Sequence, residues 1–549
     1  MNTIPELTPV IARLREDLVL RRIESGMRTL EAHRPLLEAL QPVQKHAAVL
    51  VGLVAQWVDI GFAGPELLRD LLTRFPQECR VCLPLLDYLH LRMAEGLLAM
   101  AAENVEQAVR HLQFVQSTEG EIQDPELLAI SNFWIGRCLR KEGRYDDALA
   151  YAVKGKTLAL ERGYVKMAAV MQVMESWMVF QKGKLKEAGN ILRLAEAALS
   201  DTDDFVSRGN IQSAYGRIAR RQGRYERALE HFECAIGEYQ RRDPQHLNLA
   251  RSLVNVAFVK RLIALDVHKA IDEDLARRRS ASPPEAALEM SRTRRAQIQQ
   301  LRSEATAHLS EALRIYHHRH NHRGIGSVHI NHGFLLLDEG ALDRAAAQAA
   351  EAFRHGEEKH DYILMARART LQCSIENARV EEEIEENSAH HLHLAHDYAR
   401  EAVDYAKQTQ NRRLLARALV WQGLTYCADG SENREAARRC CDAATALLRP
   451  AGLEQEYVWA DLESLRARVL HSGRVNALLQ EWSQGLTGDK TFQQITDDFA
   501  ALVIPQVWQR EERKISRVAM KLSISPKKVR RILTAAGMIG GARQGTARL

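Results

Sequence analysis

The residues with the plainest chemistry are basic and lie at one end of the chain. From Arg513 to Leu549 there are ten Lys/Arg and no Asp/Glu, so this segment carries +10 and residues 1–512 carry −5. A mildly acidic body with a strongly basic end points to a polyanionic partner for that end. The alternative is a solvated tail that keeps the chain soluble, but the tail also carries a helical pattern. Other candidates are weaker. Cys79-Arg-Val-Cys82 has the spacing of a metal or redox pair, yet a structural zinc needs four ligands and no second pair is near. We read these as two small core cysteines. His317, His318, His320, His322, His329 and His332 form one cluster and His390, His391, His393 and His396 another. His318 and His322 share a helix face, and the clusters could meet across neighbouring helices to hold a metal or sense pH. The simpler reading is surface histidines, so no metal site is assigned. Gly485-Leu-Thr-Gly-Asp-Lys-Thr491 fails as a phosphate loop because Asp489 stands between Gly and Lys and no strand precedes it. No nucleophile with a base and an orienting group is evident. We therefore expect a non-enzyme with no catalytic residues and no cofactor.

What positions the basic residues is a helical chain. Of 549 residues, 46% are hydrophobic and 27% charged, as in a folded globular protein, while aromatics are only 6%. Ala, Leu, Glu and Arg dominate, which favours helices over a β-sandwich. The length exceeds what one compact core serves. The longest apolar run, Ala47 to Ala55, is nine residues, against roughly 20 for a membrane span. No secretory signal is visible at the N-terminus, and eight cysteines are scattered without a framework. A reducing, cytoplasmic location with no membrane partner is expected.

The body repeats itself. Gly143-Arg-Tyr-Asp-Asp-Ala148, Gly183-Lys-Leu-Lys-Glu-Ala188, Gly223-Arg-Tyr-Glu-Arg-Ala228 and Gly340-Ala-Leu-Asp-Arg-Ala345 share one phrase. Seven residues before each Gly stands a small residue: Gly136, Ser176, Gly216 and Gly333. The register extends to Gly96, Ala257, Cys373 and Gly423, with steps of 40, 40, 40, 41, 76, 40 and 50 residues. A small residue lets a second helix approach the first, and the Gly between them permits a left-handed turn. One such hairpin cannot bury its apolar face, but a stack can.

Phe133-Trp134-Ile135-Gly136 with Leu139, Tyr145 and Ala148, and Tyr215-Gly216 with Tyr225, Ala228, Phe232 and Ala235, resemble tetratricopeptide (TPR) repeats. The period is longer than that family's usual 34 residues. It is similar to the extended repeats of bacterial sensory regulators, such as the maltose-regulon activator and peptide-receptor regulators. We expect an all-α fold: a TPR-like superhelical solenoid of about 40-residue hairpins, followed by a small helix-turn-helix domain. Residues 1–80 read as an N-terminal helical cap, 81–455 as the superhelix, 456–490 as a C-terminal cap and linker, and 491–549 as the helix-turn-helix domain with its basic tail. Insertions fall near 266–299, where Ala276 to Pro284 read as a mobile loop with a helix resuming after it, and near 378–390, where Glu381, Glu382, Glu383, Glu385 and Glu386 read as a solvated helix end. The resemblance implies ligand binding on the concave face through the first helix of each pair. That pattern puts Arg137, Arg140, Arg217, Arg220, Arg251 and Arg261 on inner turns, as a pocket for an acidic peptide, a small anion or a protein partner. The alternative is separate arginines paired with acids. Met93, Leu97, Trp177, Phe180, Phe334 and Leu337 fall on the same face or in the core.

In the tail, residues 491–509 read as one amphipathic helix with Phe492, Ile495, Phe499, Leu502 and Val503 on a single face and a bend at Pro505. Ser516 is placed to cap a short helix burying Val518, Ala519 and Leu522. Ser525 caps the next, with Pro526 at its first position and Val529, Ile532 and Leu533 buried. Gly537 ends it. Ser516-Arg517-Val518-Ala519 with Leu522-Ser523-Ile524-Ser525 resembles the C-terminal Fis-type domain of NtrC-like bacterial activators, departing at Ser523, where that family has Gly in the turn. That resemblance implies a homodimer on double-stranded DNA with the second helix in the major groove. Lys527, Lys528, Arg530 and Arg531 would then reach base edges, and Arg513, Lys514, Arg517 and Lys521 phosphates. The expectation is a DNA-binding transcription regulator with a sensory superhelix. The alternative is a TPR interaction scaffold with a basic helical tail.

Overall fold

The computed structural model describes residues 7–122, 124–277, 285–382, 388–428, 433–448, 457–471, 490–511, 513–535 and 538–539. They contain no strand. The chain divides into two compact units, Met1–Arg468 and Val469–Leu549.

In the first unit, hairpin follows hairpin. After six N-terminal helices, α1 (Thr8–Val19), α2 (Ile23–Ala32), α3 (Arg34–Glu38), α4 (Ala47–Ile60), α5 (Pro65–Thr73) and α6 (Gln77–Val81), come the pairs α7 (Leu85–Ala101) and α8 (Val105–Ser117), α9 (Pro125–Lys141) and α10 (Tyr145–Glu161), α11 (Val165–Gln181) and α12 (Leu185–Leu199), and α13 (Phe205–Arg221) and α14 (Tyr225–Arg242). The series continues with α15 (Leu247–Arg277) and α16 (Glu285–His318), α17 (His322–Asp338) and α18 (Leu342–Glu357), α19 (Tyr362–Glu382) and α20 (Ser388–Lys407), and α21 (Arg412–Ala428) and α22 (Arg434–Leu448), before α23 (Tyr457–His471). The chain is thus an all-α, TPR-like superhelical array.

The small residue of each hairpin sits where its backbone meets the partner helix. A Cβ on Gly136 would lie 3.1 Å from the Ala148 carbonyl oxygen and 2.8 Å from Met174 Cε. At Ser176 the hydroxyl itself fills that place and donates to the Ala188 carbonyl at 3.0 Å. Twelve residues therefore separate the small residue from the Ala that faces it, in both hairpins. Second helices then bury a single stripe at helical spacing, such as Ala188, Leu192, Ala195 and Leu199 in α12, or Ala228, Phe232, Ala235 and Tyr239 in α14. First helices bury more of their circumference, because they also touch the first helices of neighbouring hairpins: α11 packs on α13, α13 on α15, α15 on α17 and α17 on α19. That closer inner spacing makes the first helices the concave layer.

The array curls far enough to meet itself. The α9–α10 turn reaches the loop before α21, where Gln410 donates its backbone N–H to the Gly143 carbonyl at 3.0 Å and accepts from the Asp146 N–H at 2.9 Å. Gly143 is required twice: its φ is +82°, and a Cβ would crowd Thr409 and Ile363. One hairpin earlier, Glu103 follows α7 and holds His322 at 2.6 Å at the start of α17. The N-terminal helices join the same closure. Both carboxylate oxygens of Asp203 accept from the first N–H groups of α2, at 2.7 Å each, and Arg21 binds Asp204 at 2.7 Å.

Within the insertion near 266–299 the described residues are helix on both sides: α15 and α16 run on as a lengthened hairpin, with Ala264, Ile271 and Ile298 in a core of their own, and of the loop read at Ala276 to Pro284, residues 278–284 lie outside the described residues. Ala47–Ala55 is the heart of α4, buried on all sides. Cys79 is half-buried and Cys82 exposed, so neither is a core residue. Met93, Leu97, Phe180 and Phe334 are core, and Val458, Leu462 and Leu465 of α23 are fully buried, with Leu465 against Gly423 of the last hairpin.

The second unit contains α24 (Phe492–Arg510), α25 (Ile515–Lys521) and α26 (Pro526–Ala535). Thr491 and Gln494 form a reciprocal capping box that starts α24. Its inward face is Ala500, Ile504, Val507 and Trp508, packed on Val518, Ala519, Val529, Ile532 and Leu533. The apolar face read from the sequence is a different one, and in the single chain its Phe492 is 84% exposed and its Phe499 48%. The helix is apolar on two sides, and a single chain occupies one. Ser516 does not cap α25, which begins at Ile515 with Lys514 at its N-cap and no side-chain cap bond. Ser525 does cap α26, its hydroxyl accepting from the Lys528 N–H at 3.2 Å. Gly537, Gly485 to Asp489, and Glu383, Glu385 and Glu386 lie outside the described residues.

Candidate functional site

Two sets of basic residues stand out, one in each unit. In the second, the turn between α25 and α26 passes through Ser523 with φ +52°, a left-handed conformation that usually takes Gly. The strain is on the order of 1 kcal/mol. It lets α26 fold back on the same core. Val529, Ile532 and Leu533 face inward, so Lys527, Arg530 and Arg531 are exposed together along the opposite side and Lys528 is half-buried. Lys527 and Arg531 are one turn apart, as are Lys527 and Arg530. Arg513, Lys514, Arg517 and Lys521 are exposed around α25. Lys521 pairs with Glu511, and the Arg513 guanidinium stands 5.9 Å from the Trp508 ring centre.

In the first unit, the six groove arginines separate into two kinds. Arg261 is neutralised: it grips Asp338 with two bonds, at 2.6 and 2.8 Å, above the Phe334 ring. Arg137 binds Asp59 at 3.0 Å and lies 4.1 Å over Trp134. Among the described residues, Arg140, Arg217 and Arg251 have neutral neighbours. Arg220 donates to Asn255 at 3.0 Å and lies over Phe258. Arg217 donates to the Ser213 hydroxyl and Arg251 to the Asn248 side chain, at 3.0 Å each. Arg140 has only the Trp177 ring, 5.2 Å away, and its Nε has no hydrogen-bond partner among the described residues.

Electrostatics ties these groups together. Burial lowers the Arg140 guanidinium to about 9, and the positive charges of Arg251, Arg137 and Arg217 add to the effect. Arg217 falls to about 10, through burial first and then Arg251, with Arg220 contributing. Lys141, beside Arg140, is lowered to about 8 by burial and by Arg137. Positive charges of α9, α13 and α15 thus act on one another. Lys141, Ser213 and Asn248 escaped the sequence reading. Ser213 and Asn248 stand four and three residues before the arginines they hold, a helical spacing that marks them in retrospect.

The histidines take separate roles. His322 bridges Glu103 and Asp361, His329 contacts Gln348 at 2.8 Å, and His391 contacts Glu376 at 2.6 Å. Among the described residues no group of three or more His, Cys, Asp or Glu is arranged to hold a metal ion. A notch is lined by Glu196, Arg208, Gln212 and Glu238, and its charged groups are already paired, Arg208 with Glu238 and Glu196 with Gln212.

A helical-repeat protein with a second, basic helical unit is the class these features define. No protein-family model matches the chain, and no curated protein matches it in sequence. Solved structures of similar form include the human IFIT1 dimer with m7Gppp-AAAA (12% identity, 86% of this chain and 95% of that one, TM-score 0.46). Another is the apo form of the quorum sensor NprR from B. thuringiensis (15% identity, 65% and 98%, TM-score 0.39). A third is the Rap conjugation gene regulator of plasmid pLS20 in complex with the Phr* peptide (11% identity, 73% and 97%, TM-score 0.41). No helix among the described residues is long and apolar enough to cross a membrane.

Proposed function

We propose that the chain is a DNA-binding transcription regulator in which the superhelix receives an effector and the C-terminal unit binds double-stranded DNA as a homodimer. The observation that carries the reading is the outer side of α26, where Lys527, Arg530 and Arg531 are exposed on a helix held by a tight left-handed turn at Ser523. Lys527, Arg530 and Arg531, with Lys528, would meet base edges, and Arg513, Lys514, Arg517 and Lys521 the flanking phosphates. The exposed apolar side of α24, with Phe492 and Phe499, supports pairing of two such units on a two-fold site. The protein acts by binding rather than by catalysis. The inner arginines make the groove the natural seat of the effector, and an effector that favours one arrangement of the paired units controls DNA affinity.

The test is DNA selection with the full-length protein beside a Lys527→Ala/Lys528→Ala/Arg531→Ala variant. The reading expects a two-fold-related motif that the variant loses. Diffuse binding that the variant retains would overturn it in favour of an interaction scaffold.

A further inference from the structure

The first hairpin departs from the repeat phrase at one position. The register that places Gly143, Gly183, Gly223 and Gly340 in other turns puts Glu103 in the turn between α7 and α8. Glu103 keeps the left-handed backbone of those glycines, with φ +61°. A side chain is strained there where Gly is not, and the contacts of its carboxylate offset the strain. Glu103 Oε2 lies 2.6 Å from His322 Nδ1, and its other oxygen accepts from the Asn321 side-chain amide at 3.3 Å. Asn321 caps α17, and His322 is its first residue, 219 residues beyond Glu103. The second ring nitrogen, Nε2, stands 3.4 Å from Asp361 Oδ2. Asp361 is buried at the start of α19, where its other oxygen accepts from the Leu364 N–H at 3.1 Å. One imidazole thus joins three segments of the superhelix, and both of its nitrogens face carboxylates.

A neutral imidazole cannot satisfy that arrangement. It has one N–H, so one nitrogen would turn a lone pair toward a carboxylate oxygen, whereas the imidazolium donates to both. Burial opposes the charge, but Asp361 and Glu103 outweigh it and hold His322 above its ordinary value of 6.5. Burial would likewise raise both carboxyls, yet His322 lowers Glu103, and Arg323 and His322 lower Asp361. Arg323, next in α17, pairs with Asp361, and Lys141 of α9 and Lys359 add positive charge near Glu103. On the flanking segments Arg319 is committed to Asp243, and His320 and His360 are exposed. Above the ordinary carboxyl values of 4.5 and 3.8 and up to 6.5, all three bridging groups are charged. As pH rises further, through the raised His322 value, the bridge loses its cation and its contribution to stability. We propose that His322 is a pH-operated clasp across the superhelix: as the cation it fastens the α7–α8 turn to the starts of α17 and α19, and as the neutral ring it releases that turn. The neighbouring closure, where Gln410 meets the Gly143 carbonyl and the Asp146 N–H, is made by amide groups that do not titrate. Release therefore loosens the first hairpin and leaves the next closure in place. The inference is independent of the regulator reading.

The experiment follows the full-length protein by hydrogen–deuterium exchange at pH 6 and pH 8, corrected for the intrinsic pH dependence of exchange. Amides of the α7–α8 turn and of the first turn of α17 should lose protection at least several-fold at pH 8, while those around Gly143 and Gln410 keep theirs. Exchange of the His322 ring C2 hydrogen reads its titration directly and should give a midpoint above 6.5. His322→Gln keeps a side-chain donor without a titratable ring, so protection of the α7–α8 turn should be equal at both pH values and below the parent's at pH 6. Glu103→Gly removes the carboxylate and suits the left-handed turn, so the fold is kept. It should expose the same amides already at pH 6 and lower the His322 midpoint. Lys141, lowered to about 8 chiefly by burial, also titrates nearby. A pH response that survives in His322→Gln would assign the effect to Lys141 and overturn the proposal. A His322 midpoint at or below 6.5, protection of the α7–α8 turn that does not change with pH, or a loss spread evenly over the superhelix would overturn it as well.

Discussion

Glu126 shows how individual residues set the pH response. It lies in the first turn of α9, is buried, and its Oε1 has no hydrogen-bond partner among the described residues. Burial pushes its carboxyl up to about 7, with Arg15 opposing and Asp124 reinforcing. The adjacent Asp124 behaves oppositely: burial would raise it, but His90, the Leu127 N–H and Arg15 hold it down to about 2. A raised carboxyl keeps its proton in the folded state, so stability falls as pH rises from the unfolded value near 4.5 through 7. Glu126→Gln should therefore stabilise the protein at pH 8, by on the order of 1–3 kcal/mol, and change little at pH 4. Thermal unfolding at the two pH values measures this, and equal effects at both would contradict it. Residue roles were unevenly legible. The left-handed turn at Ser523 is what the Fis-type resemblance implies, since that family has Gly there. Which arginines are neutralised does not follow, since Asp59 and Asp338 are 78 and 77 residues from Arg137 and Arg261.

Elements were the most legible scale, because the hairpin contact is local. The twelve-residue spacing from Gly136 to Ala148 reappears from Ser176 to Ala188 as the same backbone approach. Gly136→Val should cost about 1–3 kcal/mol or more through overpacking against the Ala148 carbonyl. Gly136→Ser should cost less, since a hydroxyl can make the bond that Ser176 makes. Denaturant unfolding of the two variants compares them, and equal losses would refute the contact as the origin of the register. Two elements were only partly legible, for a physical reason. In the 266–299 insertion the Arg, Ser and Pro of Ala276 to Pro284 mark a break, but not that α15 and α16 on either side extend alongside one another and support each other. In α24 the apolar residues fall on two sides, and sequence alone does not say which side its own unit covers.

At the scale of the whole molecule, local patterns stop being informative. Contacts such as Gly143 with Gln410 arise from small rotations summed over six hairpins, and no single repeat encodes them. The regulator reading makes its sharpest demand here. Binding of the full-length protein to its selected duplex, compared with a scrambled duplex at physiological salt, tests it most directly. The account predicts a preference of about 10³ or more for the selected site, abolished by Lys527→Ala/Lys528→Ala/Arg531→Ala. Near-equal affinity for both duplexes, weakening in parallel as salt rises, would contradict it.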